Sequence, residues 1–296
     1  MAAVHNFNYL KPSSLDEALA ALAQYGDNAR VLAGGTDIAL QLKEGTIAPD
    51  IVIDIKGLKE LSALTHDDDG LHIGAVVSFS QIVQSEIVRE HFPLLAAAAG
   101  TVGSVGIRNR ATLGGNVCSA VPSLDSGPTL LVYEAVAHLK SAERERDVPL
   151  AEWFVGPKQP ALRSDELLTG VTLPNPEKNA AGCYVKLGRY AGEDLAQAGV
   201  GVLALDGHEY RIAFCAVGPI PKRATSIEAL LQGKELSDAL LDEAKTLVPE
   251  MISPITDIRA SKEYRLLMVK VMLERGLKTA MSRLNGETTT FRALWV

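Results

Sequence analysis

Two glycine pairs have the residue types and spacing to do chemistry. One lies in Val31-Leu32-Ala33-Gly34-Gly35-Thr36-Asp37, running on into Ile38, and the other in Ala111-Thr112-Leu113-Gly114-Gly115-Asn116. Each adjoins an apolar run, and each ends in a short polar residue. A Gly-Gly pair after a strand lets the backbone turn tightly and offer bare N–H groups to an anion, because no Cβ blocks the approach. Thr36 or Asn116 at the exit adds a side-chain hydrogen bond. Two such turns suit a ligand with two phosphates and a polar heterocycle. Neither is the G-x-G-x-x-G of a dinucleotide-binding Rossmann unit, and neither carries the Gly-Lys-Ser/Thr of a P-loop. A single Gly-Gly turn is usually only a turn, so the surroundings must carry the argument.

Those turns need elements to hold them. Ser14 and Glu17 have the spacing of a capping box, and Leu15, Ala18, Leu19 and Leu22 form an apolar stripe ending at Gly26. A strand over Arg30–Ala33, a helix over Asp37–Lys43 and a strand over Asp50–Ile55 complete a small parallel βαβ unit in residues 1–58. From Leu71 the pattern changes: a strand to Ala75, a helix from Ser80 through Val88, and an alanine-rich helix over Pro93–Ala99. Leu130–Leu139 reads as a strand around Glu134. Pro174-Asn175-Pro176 is the clearest linker signal and closes a second unit, 59–174. The remainder, 178–296, opens with a strand over Ala181–Leu187 and a hairpin turning at Asp206-Gly207. Helices follow over Ser226–Leu231, Ser237–Leu247 and Ser261–Thr279. The fold class expected is therefore α+β, with an antiparallel sheet and helices in the last unit.

Composition sets outer bounds. The chain has 296 residues, 47% hydrophobic and 22% charged, with a net charge of −7. That balance suits a soluble globular protein and argues against a nucleic-acid groove, which needs clustered Lys and Arg. No apolar run approaches the roughly 20 residues that span a bilayer. Met1–Asn6 has neither a basic nor an apolar leader region, so a cytoplasmic location is expected. Cys118, Cys183 and Cys215 are the three cysteines. With no C-x-x-C pair, they cannot make a four-thiolate iron–sulfur site alone. The six histidines show no metal-ligand spacing. Neither a metal site nor a catalytic acid or base is expected.

In order along the chain, Val31–Asp37, Gly106-Ile107-Arg108-Asn109, Thr112–Asn116, Pro122 and Asp125 together resemble one family. Tyr9–Ala18 and Ile255–Arg265 extend the likeness nearly end to end. The family is the FAD-binding (medium) subunit of the molybdenum hydroxylases, the xanthine dehydrogenase and aerobic carbon monoxide dehydrogenase type. The resemblance implies a two-subdomain FAD-binding fold of the PCMH type, followed by the C-terminal α+β domain. It implies that Val31, Leu32, Ala33, Gly34, Gly35, Thr36, Asp37 and Ile38 wrap the FAD pyrophosphate. A carboxylate repels a pyrophosphate, however, so Asp37 is expected to cap the following helix instead. Thr112, Gly114, Gly115 and Asn116 form the second cradle. Asp125 accepts from ribityl or ribose hydroxyls, or else caps a helix. Leu195 lies against the isoalloxazine ring. Lys186 stabilises charge on the reduced flavin, with a solvated lysine on a strand edge as the alternative. Arg108 and Arg110 either touch phosphate or are surface charges. The family often has Ser directly before the proline where this chain has Val121; either one polar contact is missing or Ser119 or Ser123 replaces it.

The function implied is electron transfer. A small subunit with two [2Fe–2S] clusters relays electrons from a molybdenum-cofactor large subunit. The FAD of this chain collects them and passes them to NAD or another acceptor, within a dimer of heterotrimers. Two rivals stay open: a free-standing FAD-dependent oxidoreductase of the same fold, and a flavin-less scaffold subunit. The apolar tail, Phe291, Leu294 and Trp295, is expected to pack against this chain or to dock a partner.

Overall fold

The computed structural model describes residues 5–190, 193–287 and 292–296. The first stretch builds a parallel sheet from β1 (Asn8–Leu10), β2 (Ala29–Leu32) and β3 (Ile51–Asp54), in the order β1-β3-β2. Between β1 and β2, helix α1 (Leu15–Tyr25) buries Ala18, Leu19, Ala21 and Leu22. Only half of the expected capping box forms. Ser14 accepts from the Glu17 N–H, but the Glu17 carboxylate reaches the N–H and hydroxyl of Ser13. Helix α2 (Ile38–Glu44) follows β2, ends at a left-handed Gly45, and buries none of its residues.

A second sheet is antiparallel, its strands lying in the spatial order Leu64–His66, Gly70–Gly74, Leu167–Pro174, Val136–Lys140 and Glu145–Pro149. It starts with β4 (Leu64–His66) and β5 (Gly70–Gly74). Six helices then cover it: α3 (Phe79–Gln84), α4 (Glu86–His91), α5 (Pro93–Ala99), α6 (Val105–Arg108), α7 (Leu113–Ser119) and α8 (Ser126–Val132). The expected single helix over 80–88 is two, because Ser78 and Ser85 are both N-caps, accepting from the N–H of Gln81 and Val88. The expected strand over 130–139 is half helix. Leu130–Val132 completes α8, the chain reverses at Glu134 with φ 57°, and only then does β6 (Val136–Lys140) begin. A short apolar run buried on every side carries no period to separate the two. Next come β7 (Glu145–Pro149), α9 (Leu150–Trp153), the small pair β8 (Phe154–Gly156) and β9 (Gln159–Pro160), and β10 (Leu167–Pro174).

The third sheet contains β11 (Ala180–Leu187), β12 (Ala198–Leu205), β13 (Glu209–Cys215) and β14 (Lys222–Arg223). The β12–β13 hairpin turns at 206–208, where Asp206-Gly207 predicted it. Helices α10 (Thr225–Leu231), α11 (Asp238–Met251) and α12 (Lys262–Leu284) pack on one face, α12 burying Val269, Met272, Leu273, Leu277 and Ala280. The last strand, β15 (Leu294–Trp295), pairs parallel with β11, Val185 opposite Leu294 and Lys186 opposite Trp295. The tail residues Leu294 and Trp295, expected as a candidate partner contact, thus form an edge strand of their own chain's sheet. Leu294 and Val296 pack on the core of that sheet. Phe291 lies outside the described residues.

Each large sheet has its own apolar core. The central one also takes in Tyr184, Leu203, Leu205 and Ala213 from the third sheet, which joins the last two units through shared packing. No helix among the described residues is long and apolar enough to cross a membrane.

Candidate cofactor site

The first glycine turn follows directly from β2. Val31 and Ala33 pack onto the core of the first sheet, and the Leu32 carbonyl accepts from the Ile55 N–H, 3.1 Å. Gly35 has φ 84°, which a side chain would strain. Gly34 is glycine for another reason: a Cβ there would lie 2.1 Å from the Arg110 carbonyl oxygen. The two glycine turns therefore touch backbone to backbone. Among the described residues, the N–H groups of Gly34, Gly35 and Thr36 make no hydrogen bond within the chain. Gly34, Gly35 and Thr36 are partly exposed, so three consecutive amides free of bonds within the chain are open to donate to an anion.

Asp37 does not cap α2. It occupies the N-cap position without a side-chain bond, and its carboxylate accepts instead from the Ser119 hydroxyl at the end of α7, 2.6 Å. Ser119 thereby ties the two turns together.

The second turn is the first turn of helix α7. Thr112 is its N-cap, with Oγ1 accepting from the Gly115 N–H at 3.0 Å; the Asn116 N–H goes to the Thr112 carbonyl, and the Leu113 N–H to Val77. Several amides expected to face a ligand are thus used in the chain. A Cβ on Gly114 would lie 2.5 Å from the Ala75 carbonyl oxygen, so this glycine serves close packing. The Asn116 Oδ1 accepts from Ser126 Oγ, 2.7 Å.

Between the turns opens a cavity of about 270 Å³, lined by Gly34, Lys56, Ser62, Val76, Ser78, Gln81, Asn109, Arg110 and Thr112. Two cations reach its wall. Lys56 is paired with Asp54 at 2.8 Å, an aspartate that also accepts from the Tyr9 hydroxyl. The two candidate arginines separate here: Arg108 donates to the carbonyls of Val102 and Gly103, whereas Arg110 lines the cavity.

Asp125, Lys186 and Tyr184 form a buried cluster rather than part of that wall. Asp125 stands at the start of α8 but makes no cap. Its Oδ1 accepts from the Tyr184 hydroxyl at 2.7 Å and its Oδ2 from Lys186 Nζ at 2.8 Å. The lysine is fully buried, which rules out the solvated alternative, and it also donates to the Thr101 carbonyl, 2.9 Å. Burial pushes the Asp125 carboxyl up from its ordinary range, against the pull of Lys186 and Tyr184. Leu195, by contrast, is half exposed on the loop between β11 and β12.

Residues 5–176 match the family model described as the FAD binding domain in molybdopterin dehydrogenase, and residues 183–280 match the CO dehydrogenase flavoprotein C-terminal domain. The chain belongs to this flavoprotein family. It is 33% identical to the caffeine dehydrogenase subunit beta of Pseudomonas sp. (strain CBB1), over 94% of this chain and 96% of that one. It is 31% identical to the xanthine dehydrogenase FAD-binding subunit of Escherichia coli O157:H7, over 95% and 98%. A solved carbon monoxide dehydrogenase from Hydrogenophaga pseudoflava superposes with a TM-score of 0.91 at 30% identity, covering 95% of this chain and 99% of that one. The protein is accordingly a FAD-containing oxidoreductase subunit of the molybdenum hydroxylase type.

The site of this molybdopterin dehydrogenase flavoprotein fits its cofactor. Unpaired backbone donors beside Lys56 and Arg110 suit a pyrophosphate, and FAD supplies the redox chemistry when bound. Lys56, Ser62, Ser78 and Gln81 line the cavity although no sequence pattern marked them as site residues. Ser78 and Gln81 form a capping box two residues ahead of the expected helix start at Ser80, and Lys56 follows β3 with no local signal at all.

Proposed function

We propose that this chain collects electrons from the [2Fe–2S] clusters of a small partner subunit, which receives them from a molybdenum-cofactor large subunit. The flavin then passes them on to NAD or another acceptor. The complex is a dimer of heterotrimers in the cytoplasm. The names of the relatives support the reading: one is a subunit beta, another a FAD-binding subunit. The Hydrogenophaga pseudoflava carbon monoxide dehydrogenase is described as a molybdenum-cofactor enzyme, solved without the Mo-pyranopterin moiety of that cofactor. The observation that carries cofactor binding is the row of unpaired amides at Gly34, Gly35 and Thr36.

In this reading Gly34–Thr36 and Arg110 hold the pyrophosphate, with Val31–Ala33 and Ile38 framing the turn. Asp37 acts through Ser119 rather than on the cofactor. Thr112, Gly114, Gly115 and Asn116 shape the second wall, and the still-open lone pairs of Asp125 accept from a sugar hydroxyl. Leu195 walls the ring. Lys186 acts mainly by fixing Asp125, since two of its donors are already engaged. The cavity is smaller than the roughly 300–1,000 Å³ of a pocket that encloses a whole ligand, so it seats one end of the dinucleotide. The division into three units, 1–58, 59–174 and 178–296, is supported by the presence of three large sheets in chain order.

Purification from the native source tests this. Equimolar FAD with co-purifying molybdenum and iron is the expected result. Flavin without either metal would favour a free-standing oxidoreductase, and absence of flavin a scaffold subunit.

A further inference from the structure

Lys186 sits on β11, yet both hydrogen bonds of its ammonium leave that sheet, to Thr101 and Asp125. Thr101 opens the glycine-rich segment that leads through α6 to the second turn, and Asp125 closes it after α7. One buried ammonium therefore pins both ends of the 101–125 segment. An ammonium has three donors, and the remaining side of Lys186 faces Trp295: Nζ lies 5.2 Å from the indole centroid. A cation over an indole face is attracted by the ring quadrupole, more strongly when desolvated, and here the cation is fully buried.

The indole is itself held in place. Trp295 stands opposite Lys186 in the β11–β15 register, and the Val296 N–H donates to the Lys186 carbonyl, 3.1 Å. A Cβ on Gly188 would come within 3.1 Å of Trp295 Cζ3, so the ring lies close against the start of the β11–β12 loop. Upstream of β15, the Arg292 carbonyl accepts from Arg283 of α12, 2.8 Å.

We propose that the C-terminal strand is a clamp on the cofactor site, with Trp295 as a positioning residue that seats Lys186 and, through it, the 101–125 segment and Asp125. The inference rests on the reading that this segment contacts FAD. It makes cofactor retention depend on the last residues of the chain, although Trp295 belongs to neither glycine turn and lines no part of the cavity.

The test is titration of apoprotein with FAD, followed by quenching of flavin fluorescence, for the full-length chain and for Trp295→Leu, Trp295→Phe, Lys186→Gln and the double variant Lys186→Gln/Trp295→Leu. Trp295→Leu should weaken FAD binding about tenfold, and Trp295→Phe, which keeps a ring under the ammonium, less than threefold. In the Lys186→Gln background, Trp295→Leu should add less than twofold, since contacting residues acting through one route are not additive. Circular dichroism and melting of each apoprotein identify variants that fail to fold. If Trp295→Leu folds and binds FAD as tightly as the unmodified chain, the clamp is refuted. A loss that adds fully to that of Lys186→Gln also refutes it, because the tail then acts without Lys186. Failure of the unmodified chain to bind FAD would overturn the cofactor reading itself, a distinct result.

Discussion

Among single residues, neighbouring glycines separate two functions that look identical in sequence. Gly35 has room for a small side chain apart from Leu32 Cδ1 at 3.1 Å, but its φ of 84° is left-handed. Gly35→Ala should cost about 1–2 kcal/mol of stability and also weaken FAD binding. Gly34→Ala drives a Cβ into the Arg110 carbonyl and should cost about 1–3 kcal/mol or more, with the turns forced apart even before cofactor is added. Melting of the apoproteins beside FAD titration checks both: an unchanged melt for Gly34→Ala would mean the turns do not abut. The buried ion pair gives a further prediction. Lys186→Met leaves the buried Asp125 without its cation, with only the Tyr184 hydroxyl bonded to it, and should cost about 3–5 kcal/mol, largely recovered in Lys186→Met/Asp125→Asn; urea denaturation reads both. Sequence singles out Gly34 and Gly114 for anion approach, and the structure gives each a further reason, close backbone packing. A glycine needed for anion approach and one needed for backbone packing leave the same letter. Only the fold, which puts Arg110 against one and Ala75 against the other, tells them apart.

Elements are legible where local chemistry decides them. The Asp206-Gly207 turn, α2 and the long apolar stripe of α12 lie where pattern places them, because a turn residue or a 3.6 period fixes them locally. The 130–139 run and the 80–88 helix differ from expectation because burial on all sides erases periodicity in one, and a second cap interrupts the other. Packing between α11 and α12 carries its own prediction. Hydrogen bonds from Lys245 and then Lys278 hold the Glu274 carboxyl at about 2, down from 4.5. A depressed folded-state value means the contribution is present above pH 4.5 and lost as pH falls toward 2. The carboxylate is about one-third exposed, so the effect is modest. Glu274→Gln should lower stability at pH 7 and flatten the loss between pH 4.5 and 2. A wild-type acid slope in the variant would show that the bridge does not contribute.

For the whole molecule, the proposed cofactor site draws on all three sheets, the third through Lys186 behind the cavity rather than in its wall. Turns from the first and second units abut, and Lys186 of the third holds the second. Such a site should stiffen when filled: FAD at a hundred times its Kd should stabilise the chain by about 2.7 kcal/mol, read as a rise in melting temperature. No rise at saturating FAD would show that the folded chain does not bind the cofactor. Sequence pattern locates the β-strands of the third unit but holds no hint that a dipeptide near the end of the chain joins them. Pairing of β15 with β11 spans more than a hundred residues, and no local periodicity records a partner that distant.

The position of β15 has a consequence for biosynthesis. Translation runs from the N-terminus, so the strand opposite Val185 and Lys186 is made more than a hundred residues after the β11 edge that it covers. Until it arrives, that stretch of β11 has an open edge, the kind of surface on which other chains can add strands. Nascent chains, and any that stop short of β15, share this exposure, and it is removed once β15 pairs with β11.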